Sequence, residues 1–173
     1  MNNVISITLL ALSLFTQPAF SQQTLLLKQP SVSADHLAFV YAGDIWVAER
    51  DGSSPRRLTS SPAEENSPIF SPDGGRIAFR ADYEGNTDVY VISAGGGQPQ
   101  RLTWHPGTDI PTHWVADGSA VSLVTYREND HGRSGQLFHA SFDGGIPVKQ
   151  MDARFYRGTY DAEGKRLAYI AHG

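Results

Sequence analysis

One unit of sequence recurs four times along this chain, and the recurrence limits the fold more than any single motif does. The unit opens on a turn with an acidic residue and runs into a short apolar strand. Three full copies read Ser71-Pro72-Asp73-Gly74-Gly75-Arg76-Ile77-Ala78-Phe79, Val115-Ala116-Asp117-Gly118-Ser119-Ala120-Val121-Ser122-Leu123 and Asp161-Ala162-Glu163-Gly164-Lys165-Arg166-Leu167-Ala168-Tyr169. A shorter copy, Ser33-Ala34-Asp35-His36-Leu37-Ala38-Phe39, precedes them. The acidic turn residue falls at 35, 73, 117 and 163, in steps of 38, 44 and 46. Each of the first three units continues into a second apolar strand: Asp44-Ile45-Trp46-Val47, Asp88-Val89-Tyr90-Val91 and Gln136-Leu137-Phe138-His139. A turn containing proline follows, ending at Pro55, Pro99 and Pro147, and a short strand closes the unit: Arg57-Leu58-Thr59, Arg101-Leu102-Thr103 and Lys149-Gln150-Met151. Ordered features at a period of about 40–45 residues are the mark of a repeat array, and this period suits a four-stranded propeller blade.

The local chemistry selects strands. The apolar runs are short, β-branched and aromatic, and Asp-Gly, Pro-Asp-Gly and Gly-Gly bound them. The mature chain shows no sustained helical period with caps, which excludes the helical repeats. Residues 37–41, 77–79 and 89–92 are nearly continuously apolar. A sheet with one wet face would alternate, whereas a blade held between two others is dry on both faces. The predicted fold class is all-β: a β-propeller of four-stranded antiparallel blades, with units near 30–65, 66–109 and 110–153 and a truncated one at 154–173. That is about three and a half blades, and a ring closes with 4–8. The chain therefore reads as the N-terminal part of a longer protein, with a last blade that leaves unpaired edges.

Residues 1–21 stand apart from the repeats. An apolar run at 4–15 is too short to span a bilayer, which needs about 20 residues. Pro18 and then Ala19-Phe20-Ser21 follow it, the layout of a cleavable signal peptide, although Met1-Asn2-Asn3 carries no basic side chain. Cleavage after Ser21 leaves 22–173 as an exported, periplasmic or secreted chain. Composition narrows the partners: 14 Lys+Arg against 18 Asp+Glu leave a net charge of −4, and Arg56-Arg57 is the densest basic cluster, so nucleic acid is not an expected partner. No other apolar run is long enough to span a membrane. With zero Cys, a disulfide scaffold, a thiolate metal site and a cysteine nucleophile are all excluded.

The repeats resemble the propeller units shared by TolB, the prolyl oligopeptidase group and the tricorn proteases, and most closely the N-terminal propeller of tricorn-type serine peptidases. The residues that carry the resemblance are Leu37-Ala38-Phe39-Val40-Tyr41-Ala42-Gly43-Asp44-Ile45-Trp46-Val47, Arg57-Leu58-Thr59, Phe70-Ser71-Pro72-Asp73-Gly74, Tyr83-Glu84-Gly85-Asn86-Thr87-Asp88-Val89-Tyr90-Val91 and Arg101-Leu102-Thr103-Trp104-His105-Pro106-Gly107. The resemblance implies a large hydrolase in which the propeller gates or filters peptide substrate, and the serine peptidase core lies downstream of the propeller. It implies peptide or protein substrates as partners and an oligomer of the full-length protein. No catalytic residue of that core maps onto this chain. The alternatives are a TolB-like protein-binding scaffold without catalysis, and a propeller fused to another hydrolase of the prolyl-oligopeptidase or amidohydrolase type.

Chemical motifs within the chain are weak, and no catalytic, cofactor-binding or metal-ligating residue is assigned. There is no Gly-x-Ser-x-Gly elbow. Gly158 to Gly164-Lys165 is one residue too long for a phosphate loop, with Arg166 where Ser or Thr belongs. His105 and His113 flank Asp109 without helical ligand spacing and read as loop and turn residues. Asp82, Glu84, Asn86 and Asp88 place oxygens at every second position, but the glycine is misplaced for a calcium loop and no closing Glu follows, so they read as a polar hairpin tip. Trp46, Trp104 and Trp114 are expected to pack between blades rather than to form binding platforms. Ser71 sits in turn chemistry repeated from unit to unit, which makes it a fold residue rather than a nucleophile.

Overall fold

A computed structural model of the chain describes residues 27–127, 135–161 and 165–171. The apolar run, the cleavage site at Ser21 and part of the last turn lie outside the described residues. Fourteen strands and no helix are found among those that are described. They form three consecutive four-stranded antiparallel meanders and a two-stranded hairpin. The first sheet comprises β1 (Lys28–Val32), β2 (His36–Tyr41), β3 (Asp44–Glu49) and β4 (Arg56–Arg57). The second comprises β5 (Glu65–Phe70), β6 (Arg76–Ala81), β7 (Asp88–Ser93) and β8 (Gln100–Arg101). The third comprises β9 (Asp109–Trp114), β10 (Ala120–Thr125), β11 (Gln136–Ser141) and β12 (Val148–Lys149). The hairpin is β13 (Arg157–Tyr160) with β14 (Leu167–Ile170). This is the unclosed all-β propeller that the repeats predict. The first strands approach one another, β5 against β1 and β2, and β9 against β5, β6 and β7, so they form the inner side of the stack. The outer strands β4, β8 and β12 are two residues each.

The turns set the register. The acidic turn between β5 and β6 holds Gly74 at φ 71°, and the matching turn between β9 and β10 holds Gly118 at φ 72°. Glycine takes this left-handed conformation without steric cost. Asp73 Oδ1 accepts from the Gly75 N–H at 3.0 Å, and Asp117 Oδ1 from the Ser119 N–H at 2.9 Å. Ser71 Oγ accepts from the Arg76 N–H at 2.9 Å and lies 2.5 Å from Asp73 Oδ1, to which it donates. The hydroxyl is thus committed to the turn.

The core consists of the seams between sheets. Between the first and second lie Ala38, Val40, Ile45 and Val47 against Ile77, Phe79, Tyr90 and Ile92. Between the second and third lie Ala78, Val89, Val91 and Leu102 against Trp114, Val121, Leu123 and Phe138. β6 and β7 therefore bury both faces, as their continuous apolar runs require. Polar links cross the same seams. The Trp114 Nε1–H donates to the Ile69 carbonyl at 3.1 Å, and the Arg76 guanidinium lies 5.5 Å from the Trp114 ring centroid and 4.2 Å from that of Phe142. A guanidinium over aromatic rings gains electrostatic attraction while its stem covers apolar surface.

Candidate functional site

A cleft of about 780 Å³ lies between the first two sheets. One wall is the outer strand's continuation from Arg57 through Ala63, and the other includes Asp82, Tyr83 and Ile92. A network of buried polar groups links these two sheets beside it. Glu65, at the start of β5 and fully buried, accepts from the Ile45 N–H at 3.1 Å, from the Thr59 hydroxyl and from the Tyr83 hydroxyl at 2.5 Å. Thr59 Oγ1 in turn accepts from the Ile45 N–H at 2.9 Å. Asp44 pairs with Arg57 at 2.8 Å. Burial, and then the hydrogen bond to Glu65, raises the Tyr83 phenol above its ordinary pKa and keeps it a donor.

The second sheet repeats this arrangement one unit later. The Arg101 guanidinium binds Asp88 at 2.5 Å and also pairs with Glu84. Asp88 also accepts from the Thr103 hydroxyl at 3.0 Å and from Asn86 Nδ2 at 2.6 Å. The Val89 N–H donates to Thr103 Oγ1 at 3.0 Å, as Ile45 does to Thr59. The recurrent Asp…Arg-Leu-Thr spelling is thus an intra-blade latch, in which the Arg of the closing strand pairs with the Asp that opens the third strand; the Thr two residues on holds that same Asp in the second sheet and Glu65 of the next sheet in the first. Burial raises the Asp88 pKa above its ordinary value, while Thr103 and Arg101 act against that rise. In the third sheet Gln136, Lys149 and Met151 stand in these places, and the buried acid is Asp109, held by Arg127 at 2.9 Å.

The sequence-derived candidates distribute as follows. Asn86 and Arg101 engage Asp88, and Arg101 engages Glu84, so these oxygens serve the latch. His105 Nδ1 accepts from the Gly107 N–H at 3.0 Å in the loop before β9. Asp109 and His113 stand at positions one and five of β9, about 13 Å apart along a strand. Among the described residues no three His, Asp or Glu side chains come together as a metal site. Trp46 packs edge-on against Tyr41 of its own sheet at 5.7 Å rather than in a seam, and Trp114 packs between sheets. Trp104 departs from the packing expectation: it is 59% exposed, with the Arg101 guanidinium 6.0 Å from its ring. Gly158 lies on β13, paired with Tyr169, and the turn it was compared with lies partly outside the described residues. The Glu65–Tyr83 link was not visible in the sequence because Glu65 opens its strand within a polar run and Tyr83 lies in a hairpin tip. The available signal was the acid that opens the first strand of two successive units, Glu65 and Asp109.

Three successive meanders, packed face to face with their first strands inward, define a β-propeller. Comparison with known proteins then places it within that class. Residues 24–173 match the family described as the tricorn protease N-terminal beta propeller domain, and the chain belongs to that family. It is 32% identical over 120 residues to tricorn protease homolog 1 of Streptomyces coelicolor, covering 69% of this chain and 11% of that protein. It is 40% identical over 65 residues to a TolB homologue of Chlorobium luteolum, covering 38% of this chain and 15% of that one. Among solved structures, the tricorn protease superposes with a TM-score of 0.70 at 22% identity, covering 79% of this chain and 14% of that one. TolB from Acinetobacter baumannii superposes with a TM-score of 0.72 at 25% identity, covering 86% and 38%. The chain thus spans about a tenth of the length of the tricorn homologues it matches.

Proposed function

We propose that this chain is the N-terminal propeller portion of an exported tricorn-like serine peptidase, and that the propeller gates or filters peptide substrate for a catalytic domain elsewhere in the protein. The observation that carries the reading is membership of the tricorn N-terminal propeller family over 24–173, in a chain that spans so little of its relatives. The geometry supports a non-catalytic role for this portion. The repeated serine of the turn, Ser71, is held by Asp73 and the Arg76 N–H, with no imidazole among its partners. The paired Asp and Arg side chains of the first two sheets each hold their own blade together. The cleft between those sheets has the volume of a ligand site and walls rich in hydroxyls, which suits a peptide more than an apolar metabolite. Export rests on the apolar run at 4–15 and the Ala19-Phe20-Ser21 site.

The test is a fluorogenic peptide assay with a serine-directed covalent probe, run on residues 22–173 and on the full-length protein. Turnover and labelling in the full-length protein alone are expected. Labelling of a serine within 22–173, with turnover, would overturn the assignment. Labelling of neither favours a TolB-like docking scaffold, the second reading, which the 40% identity to a TolB homologue supports. Mass spectrometry of the mature N-terminus is expected to find Gln22; a cytosolic protein beginning at Met1 or Asn2 would sink export.

A further inference from the structure

One row of the third sheet breaks the pattern of the first two. In the second sheet Ile69, Ala78 and Val91 lie side by side across β5, β6 and β7, and they face the third sheet in an apolar cluster. In the first sheet the same row is Ser31, Ala38 and Val47, with Ala38 and Val47 packed toward the second sheet. In the third sheet the row is His113, Ser122 and His139, followed on β12 by Val148. Val124 and Leu137 share its face and pack on Phe155 and Leu167, so the row faces the β13–β14 hairpin. The Tyr160 ring of β13 lies 4.4 Å from the His113 ring.

Three polar atoms of this row, His113 Nε2, Ser122 Oγ and His139 Nε2, are buried with no hydrogen-bond partner among the described residues. The His113 tautomer follows from its neighbour. Thr112 Oγ1 lies 3.1 Å from the Ser122 carbonyl and 3.0 Å from His113 Nδ1. The single hydroxyl proton goes to the carbonyl, so Nδ1–H donates to Thr112 and Nε2 is left as a bare lone pair facing the seam. Among the described residues, the titratable groups that face the two imidazoles are each other and, from β13, the Tyr160 phenol. Val148 faces them from β12, and Asp161, next to Tyr160, binds Arg166 and the N–H groups of its own turn. Among the described residues, the row therefore has imidazoles at a seam and no carboxylate positioned to neutralise them once charged.

We propose that the His113–Ser122–His139 row makes the seam between the third sheet and the β13–β14 hairpin an acid-labile joint. Neutral imidazoles let Tyr160 and Leu167 dock, and imidazolium ions drive the hairpin off. Burial, and then the His139 imidazole, lowers the His113 pKa to about 4, and burial lowers His139 as well. A histidine lowered in the folded state takes up protons on undocking, so docking is complete above about pH 6.5 and weakens as pH falls toward the folded value. From His113 alone, the docked-to-undocked ratio falls roughly 20-fold between pH 7 and pH 5 by this linkage.

The experiment uses the whole chain with EDTA present. Amide exchange protection is compared at pH 7 and pH 5, after correction for intrinsic rates. Residues 157–170 are expected to lose about an order of magnitude or more of protection at pH 5, while β6 and β7 keep theirs. The variant H113I/S122A/H139V installs the row of the second sheet and is expected to abolish the difference. Equal protection of 157–170 at both pH values in the wild type would overturn the proposal, as would an undiminished loss in the variant. If the triple variant does not fold, a proton NMR titration of the wild-type imidazoles decides, with H139V used for assignment. Midpoints below 6.5 for both histidines support the joint, and a His113 midpoint at or above 6.5 overturns it.

Discussion

β6 and β14 occupy the same place in their units and carry nearly the same residues: Arg76-Ile77-Ala78-Phe79 in one, Arg166-Leu167-Ala168-Tyr169 in the other. Their surroundings differ. Ile77, Ala78 and Phe79 are each 0% exposed, whereas Tyr169 is 44% and Ile170 60% exposed. β6 lies inside a four-stranded sheet with a sheet packed on each face. β14 has one strand partner and the third sheet on one side. Closely similar strand chemistry thus yields a core in one place and a surface in the other. In a stacked repeat, burial belongs to the interface between neighbours more than to the unit.

The sharpest way to break the comparison is to truncate the matched aromatic rings. Phe79→Ala is expected to cost about 3–5 kcal/mol, because the ring is fully enclosed and the hole it leaves cannot collapse. Tyr169→Ala at the matching place is expected to cost about 1 kcal/mol or less, as suits a half-exposed ring outside the core seams. Urea midpoints of the two variants measure the contrast. Equal losses would mean that the hairpin packs as tightly as the second sheet.

The latches give the next contrast. Arg101→Ala leaves the Asp88 carboxylate, 0% exposed, without its cation, and is expected to cost about 3 kcal/mol at pH 7. Lys149→Ala removes the cation of the third sheet at the matching place. Its partner Asp152 is 99% exposed, so the loss is expected to be about 0–1 kcal/mol. The Arg101 variant has a pH signature. Asp88 is raised above 3.8 in the fold, so this carboxyl favours folding when protonated and loses that favour as pH rises through its folded pKa. The deficit of Arg101→Ala should therefore shrink between pH 7 and pH 5. Denaturant titrations at the two pH values check it, and a constant deficit would count against a buried carboxylate as its cause.

The seam can be probed from the backbone. A Cβ on Gly135 would lie 2.3 Å from Val124 Cγ1 and 2.9 Å from the Phe155 carbonyl oxygen. Gly135 bridges to Phe155, the contact through which the chain enters the hairpin. Gly135→Ala is expected to cost about 1–3 kcal/mol, as overpacking does, with faster amide exchange first at 157–170. Exchange that rises evenly over all sheets would show that the hairpin and the third sheet open as one unit.

Much of the architecture could be read in the sequence because the repeat spells out its turns. Asp73-Gly74 and Asp117-Gly118 mark the same corner, and the continuous apolar runs of β6 and β7 announce two buried faces. The latches were only half legible. Asp88 and Arg101 were visible as recurring residues, but their pairing depends on the β7–β8 register, which sequence spacing alone does not give. The imidazole row was hidden for a similar reason. His113 and His139 lie on either side of β10, and β9 pairs with it through a register shift between Ser122 and Leu123. Aligned units did hold one clue, since His139 falls in a column otherwise occupied by Val47 and Val91. Trp104 shows the converse. An aromatic in a repeat reads as core, but this one follows the closing strand and emerges beside Arg101 into solvent.

The smallest expected effect lies in the turn between β9 and β10, and it separates turn chemistry from packing. The Ser119 hydroxyl lies 2.6 Å from Asp117 Oδ1, to which it donates, and the Ser119 N–H donates to the same oxygen at 2.9 Å. The hydroxyl, and then the N–H, holds the Asp117 carboxyl below its ordinary value of 3.8. A carboxyl lowered in the fold contributes stability above its unfolded pKa and loses it as pH falls through the folded one, so this turn matters to acid stability only below about pH 4. Ser119→Ala removes the larger donor and keeps the N–H. The Asp117 carboxyl should then titrate higher than in the wild type while remaining at or below 3.8, with little change in the neutral-pH urea midpoint. A carbon-detected NMR titration of the side-chain carboxyl reads the shift. An unchanged Asp117 midpoint would assign the lowering to the backbone N–H alone, and with it the turn's acid resistance to the glycine-permitted backbone shape rather than to the serine.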